Sequence, residues 1–308
     1  MYEVDNYIYD AFRHEKNPIM AEKDYLECLI LDRVFNDSFF SKNFVFAGGG
    51  TITKVYKIGN RIGQDIDLAY TAFEDLPEKH GTRALNKFKK NFNDFVFNDL
   101  KDKACNVMKD IGKFTVVTDS QIRASQPVKQ GRAQPTLHIL YSSNVTPSAQ
   151  KCIDLEFIPR HYKPETVDLR SVVPYSLGTP TSKEIPTVNY AQTFWDKIYA
   201  LHIIHQIGLM RPGLAHHYYD VANLAPCINL EKTQYMFKEI EKYQQTYTTR
   251  HIISPERTSD IDLIPQTSDL QLLEKDYANM QNRFIGRSET WPNIMTSLIA
   301  LNKNIKTL

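Results

Sequence analysis

The spacing of apolar residues along the 308-residue chain changes twice. Over residues 1–40, Ile19, Met20, Tyr25, Leu26, Leu29, Ile30 and Val34 recur at helical spacing and predict a packing helix. From Phe44 onward short apolar or alternating runs take over. Phe44–Ala47, Ile66–Tyr70, residues 114–120, Thr136–Tyr141 and Lys151–Arg160 read as strands. Residues 78–113 interrupt them as a Lys-rich helical region, with Phe88, Phe92, Phe95 and Phe97 on its apolar side. Its lysines read as a solvated helix face rather than a nucleic-acid track. Residues 121–134 are polar and basic and predict a loop, and residues 144–148 a turn. Residues 161–187 carry Pro164, Pro174, Pro180 and Pro186, which predicts a linker across the surface. Beyond residue 190 the helical period returns, with Phe194, Ile198, Leu201 and Ile204 first, and later Leu272, Leu273, Tyr277, Met280, Phe284, Ile294, Met295, Leu298 and Leu301. Strands with interspersed helices followed by helices alone predict an α+β fold of two domains, residues 1–186 and 187–308.

Composition narrows the class. Hydrophobic residues at 42% and charged residues at 24% are ordinary globular values. A net charge of +1 supplies no global field for nucleic acid, so any RNA contact must come from a local patch. The four cysteines are scattered and form no Cys-x-x-Cys pair, which argues against a structural zinc site and fits reduced thiols. No apolar run approaches a membrane span, and the N-terminus has no signal-like core; a cytoplasmic protein with no membrane partner is expected.

The chemistry concentrates between Phe44 and Leu68. A strand enters Gly48, Gly49, Gly50 and Thr51; a helix-like segment follows, with Lys54; then come Arg61 and the pair Asp65 and Asp67. Residues two apart on a strand share a face, so the two carboxylates lie side by side and repel unless a cation joins them. Oxygen ligands suit Mg²⁺, and glycines let backbone N–H groups approach a phosphate. The chain contains its own comparison. Asp260-Ile261-Asp262-Leu263 repeats the same four residues with no glycine turn before it, and reads as a solvated loop.

This pattern resembles the AbiEii/AbiGii (MenT-like) nucleotidyltransferase toxins, within the DNA polymerase β-like nucleotidyltransferase superfamily. The resemblance implies a polymerase β-like catalytic domain (a mixed sheet flanked by helices), with the helical domain completing a nucleotide and acceptor cleft. It implies nucleotide binding at Gly49, Gly50 and Thr51, and metal binding at Asp65 and Asp67; Lys54 and Arg61, in the same stretch, are expected to bind nucleotide as well. Gly63 stands where the family often has Ser, and Gly48 is an additional glycine. A third carboxylate is implied on a downstream strand. The Leu155-Glu156-Phe157 triplet assigns it to Glu156, with Asp154 as the alternative on the same face. Lys197, in Lys-Ile-Tyr-Ala, and Asp220, in Tyr-Tyr-Asp-Val, match a phosphate-facing lysine and a supporting aspartate. Ala215, His216 and His217 occupy the place where the family commonly has Arg. His202, His205, His216 and His217 form no HExxH motif and read as packing or RNA-contact residues.

The function implied is transfer of a nucleoside monophosphate from an NTP, with Mg²⁺ or Mn²⁺, to an RNA acceptor, the 3′ end of tRNA. The setting is a bacterial toxin–antitoxin or phage-defence system with a cognate antitoxin. Two readings stay open beside it: the same transfer to a small molecule or protein, and a non-catalytic nucleotide-binding subunit.

Overall fold

The structure is a computed structural model. It describes residues 10, 12, 15, 17–63, 65–72, 82–109, 114–122, 134–147, 150–160, 162–208, 210–247, 257–285 and 287–308. The expected loop over residues 121–134 lies almost wholly outside them.

Helix α1 (Pro18–Asn36) begins where the sequence supplies a cap and a proline. The Asn17 side chain accepts from Met20 N at 3.3 Å, and Pro18 opens the first turn. Asp37 then caps α2 (Ser38–Asn43) by accepting from Phe39 N and Phe40 N at 2.9 and 3.1 Å. There follow β1 (Phe44–Ala47), α3 (Gly49–Lys54), β2 (Asp65–Tyr70), α4 (Thr82–Phe95), a π-helical turn (Val96–Leu100) and α5 (Lys101–Met108). After these come β3 (Thr115–Thr118), α6 (Asp119–Ile122), β4 (Thr136–Ser142), β5 (Gln150–Pro159), β6 (Val167–Arg170) and β7 (Ile185–Val188).

The strands form one mixed sheet in the order β3-β4-β5-β2-β1-β7-β6. β2 runs parallel to β5 and β1 parallel to β7; the other neighbours are antiparallel. The pleat sorts the side chains. Phe44, Phe46, Ile66, Leu68, Leu137, Ile139, Ile153, Leu155 and Phe157 join the main core, which α1 covers with Leu26, Ile30, Leu31 and Val34. Phe92, Val96, Leu100, Ala104 and Met108 complete it at a spacing of four. Such a stripe drifts around an ideal α-helix, and the wider turn at Val96–Leu100 takes up the drift. Phe88, Phe95 and Phe97 pack on the same core, as the sequence predicts. Val45, Ala47, Ala69 and Val188 lie on the sheet's other face, which also carries Asp65 and Asp67.

The linker expected over residues 161–187 is a correction. It contains β6 and β7, paired through Val167↔Val188 to Arg170↔Ile185, and β7 meets β1 at Phe46↔Thr187. Pro174 and Pro180 fall in the connection between the two strands, so much of the proline density marks a turn.

The chain divides into two compact units. The sheet and its helices make one; the described parts of Lys57–Arg61, Glu78–Thr82 and Asn189–Leu308 make the other. The second unit holds α7 (Tyr190–Gln206), α8 (Ala215–Leu224), α9 (Leu230–Thr233), α10 (Tyr235–Tyr247), α11 (Thr267–Asn279) and α12 (Trp291–Ile305). Trp195, Tyr199, Tyr218, Phe237, Tyr277 and Trp291 are buried in it. The Lys57–Arg61 segment is stitched into this unit. Asn60 N donates to the Tyr219 hydroxyl at 2.9 Å, Ile285 N donates to Asn60 O at 3.0 Å, and Arg61 bridges to Phe284. The second Asp-Ile-Asp-Leu run lies in a loop as expected, but it is not solvated throughout, because Ile261 and Leu263 are fully buried.

Candidate active site

The glycine turn is shaped around Asp67. Gly48 sits at φ 72° and ψ −161°, a conformation closed to most side chains. A Cβ at this position would fall 1.6 Å from Asp67 Oδ2. The backbone of the turn therefore passes directly against the second carboxylate, and only glycine allows it. Thr51 is fully buried, and its hydroxyl donates back to Gly48 O at 2.8 Å. It closes the turn from inside, so the Thr51 side chain braces the loop. At Gly50 a Cβ would press Phe46 at 2.9 Å. Gly63, by contrast, would place a Cβ at ordinary contact distance from Gly50 and Asp65, so a small side chain such as serine would fit there.

Register assembles the acids. Asp65 is the partner of Asp154 and Asp67 the partner of Glu156 across the parallel β2–β5 pair. Adjacent strands lie about 4.8 Å apart, so four carboxylates form a two-by-two patch on one face. β4 adds Thr136 opposite Glu156 and His138 opposite Asp154. His138 is buried, and its Nδ1 lies 2.6 Å from Asp154 Oδ1. The half-buried Asp65, Asp67 and Glu156 offer an all-oxygen set, the donor chemistry a hard divalent cation requires.

Lys54 is a correction. The nucleotide-binding role expected from its place after the glycines is not what its side chain does. The ammonium is fully buried, 2.5 Å from Asp24 Oδ1 and 2.7 Å from Glu27 Oε2 on α1. Burial alone would depress the Lys54 pKa; the charges of Asp24 and Glu27 outweigh it and raise it. Burial raises the Glu27 pKa against the pull of Lys54. The cluster ties α3 to α1, with no reach toward the turn.

The second unit has its own charged cluster. Asp220 is buried and accepts from Arg61 Nε at 3.0 Å and Nη2 at 2.7 Å, and its Oδ2 lies 2.8 Å from Lys197 Nζ. Burial works to raise the Asp220 pKa, yet Arg61 and Lys197 hold it below the usual carboxylate range. Lys197 is buried too, so it is not a solvated surface lysine. Two cations on one carboxylate leave the cluster with net positive charge, and Arg61 commits its fork to Asp220. Burial first, then His217 and the cations, keep His216 far below its ordinary pKa; burial first, then Lys197, push His217 down to about 3. His202 and His205 pack by hydrogen bonding to Gln206, Tyr218 and Asp262, and burial lowers both.

Sequence reasoning missed Gly48 as a positioning residue and His138 as the partner of Asp154. The positive φ and the cross-strand pairing that reveal them exist only in three dimensions. A glycine turn set against paired carboxylates on the central strand of a mixed sheet defines a nucleotidyltransferase domain. The family model described as nucleotidyl transferase AbiEii toxin, type IV toxin–antitoxin system, matches residues 29–297, and the chain belongs to that family. Among solved structures it is similar to MenT4, a nucleotidyltransferase toxin from Mycobacterium tuberculosis H37Rv. The two share 13% identity with a TM-score of 0.57, over 99% of this chain and 90% of that one, a likeness of fold. No curated protein matches the chain. The protein is a nucleotidyltransferase with an α+β fold, and among the described residues no helix is long and apolar enough to cross a membrane.

Proposed function

We propose that the protein transfers a nucleoside monophosphate from an NTP to an RNA hydroxyl, the 3′ end of tRNA, as the toxin of a cytoplasmic toxin–antitoxin or phage-defence system. The observation that carries the reading is the register that sets Asp67 between the Gly48 turn and Glu156. Asp65, Asp67 and Glu156 would hold Mg²⁺ or Mn²⁺, which when bound supplies charge neutralisation at the phosphates and activates the acceptor oxygen. Glu156 is preferred over Asp154 because it is the register partner of Asp67, the carboxylate that the glycine turn passes against.

The backbone N–H groups at Gly49 and Gly50 face phosphate oxygens. The acceptor hydroxyl oxygen bonds to the α-phosphorus, the bond from that phosphorus to the β-bridging oxygen breaks, and pyrophosphate leaves. Glu156 takes the hydroxyl proton on a carboxylate oxygen or serves as a metal ligand. Lys197, held by Asp220, is the cation assigned to nucleotide phosphate, with Arg61 sharing its carboxylate. A cognate antitoxin is the expected partner.

The test incubates the protein with each labelled NTP, Mg²⁺ and total RNA, then resolves the RNA by size. Label on tRNA-sized RNA that is removed by 3′-exonuclease supports the reading. Label only on protein or on a small molecule overturns the RNA acceptor, and NTP binding without turnover overturns transfer by this chain.

A further inference from the structure

Beside the acidic patch, the sheet brings together three groups of different chemistry. Cys152 and Asp154 are two residues apart on β5 and share a face; His138 is Asp154's partner on β4. Cys152 Sγ lies 3.3 Å from Asp154 Oδ1 and 3.8 Å from His138 Nδ1, and the histidine nitrogen lies 2.6 Å from the same carboxylate oxygen. All three ligand atoms fall within 4.8 Å of one another. Two ligands on a tetrahedral zinc ion, with bonds of about 2.0–2.3 Å, stand roughly 3.3–3.6 Å apart. The two sulfur distances already have that scale. The nitrogen–oxygen pair is closed by a hydrogen bond and would open by under about 1 Å once a cation replaced the proton.

We propose that Cys152, His138 and Asp154 form a second metal site, selective for a borderline ion such as Zn²⁺, and that its occupancy inhibits transfer. The ligand set decides the ion. Thiolate and imidazole favour Zn²⁺ and disfavour Mg²⁺, which takes oxygen donors. Four-coordination would be completed by water or by Asp65, the register partner of Asp154. An entry path exists, because the Asp154 side chain is 22% exposed while His138 anchors the site from within. Binding requires the thiol to lose its proton, so it weakens as pH falls. Inhibition rests on the proposed roles of Asp65, Asp67 and Glu156: an ion at Asp154 adds positive charge beside Asp65 and draws on the ligands of the hard cation. The sequence hides this site because His138 stands 14 and 16 residues before Cys152 and Asp154, on another strand, with no Cys-x-x-Cys spacing.

The test titrates Co²⁺ into the full-length protein and follows the near-ultraviolet thiolate-to-cobalt charge-transfer band. Wild type should show one equivalent of thiolate-ligated Co²⁺ that Zn²⁺ displaces. Cys152→Ser should lose the band, and His138→Gln should weaken Co²⁺ binding, with circular dichroism showing both variants folded. A band that is absent in wild type, or that persists in Cys152→Ser, overturns the site; should a variant fail to fold, the wild-type band and its displacement by Zn²⁺ still decide. A second arm adds Zn²⁺ to transfer assays with Mg²⁺ in excess. Wild type should be inhibited, and Cys152→Ser should need severalfold more Zn²⁺ for equal inhibition. Equal sensitivity overturns the inhibition while leaving the nucleotidyltransferase reading intact; absence of transfer without added Zn²⁺ overturns that reading and leaves the spectroscopic result standing.

Discussion

Gly48 carries more of the site than its neighbours Gly49 and Gly50 do in a reading of the sequence alone. A methyl group there would occupy the space of the Asp67 carboxylate, at a φ and ψ essentially reserved for glycine, which cost another residue roughly 1–3 kcal/mol. Gly48→Ala should therefore abolish transfer and lower the unfolding midpoint. Gly178 is a control within the same unit, with φ +66° and nothing within 4 Å of a Cβ. Gly178→Ala should lose some stability from its positive φ and keep full activity. Equal activity in the two variants would show that the turn does not position Asp67. Lys54 gives the opposite lesson. Its place in the motif suggests a nucleotide ligand, but its partners on α1 are 27 and 30 residues away and no local pattern announces them. Lys54→Met should take from Asp24 and Glu27 their shared buried cation, leaving Glu27 with Lys23 at 3.5 Å and Asp24 with the Tyr175 N–H, and cost about 3–5 kcal/mol in denaturant unfolding. If that variant instead unfolds like wild type and only its nucleotide KM rises, the buried cluster is not its role.

At the scale of elements, strands that bury one face were legible because alternation survives in sequence. Ile66–Tyr70 and Lys151–Arg160 mark such strands to within a residue or so, while Phe44–Ala47, buried on both faces, was legible as an unbroken apolar run. β6 and β7 were not, because they bracket a proline-bearing connection and β7 itself contains Pro186. The pair Asp65 and Asp67 was legible as two same-face residues on one strand, but which downstream acid stands beside which was not. Register answers that only through pairing with β5. The prediction at this scale separates the two acids. Glu156→Gln should reduce kcat at least tenfold with little change in nucleotide affinity, while Asp154→Asn should retain most activity. The reverse pattern would move the third carboxylate to Asp154. In the second unit, Asp220 joins the Lys57–Arg61 segment to α7 and α8, so Asp220→Asn should lower the thermal midpoint. Its depressed pKa places that contribution above about pH 4 and removes it as pH falls further.

Across the whole molecule, a net charge of +1 hides strong local segregation: an acidic patch on the sheet face, and two cations around Asp220 in the helical unit. The histidines of the helical unit make its stability pH-dependent. His217 titrates at about 3 when folded, against roughly 6.5 in an unfolded chain. The stability gained by keeping it neutral is thus present above pH 6.5 and is lost as pH falls toward 3. His217→Gln should lose less stability than wild type between pH 7 and pH 5, by on the order of 2 kcal/mol in urea unfolding. Identical slopes would mean that His217 protonates as freely in the fold as outside it. The central claim, nucleotidyl transfer by the Asp65 and Asp67 pair, is tested most directly by where the label travels. With Mg²⁺ and RNA, label from an α-phosphorus-labelled NTP should enter RNA, label from the γ-position should leave as pyrophosphate, and Asp67→Asn should do neither at a measurable rate. Transfer of γ-label to RNA, or undiminished transfer by folded Asp67→Asn, would contradict the account.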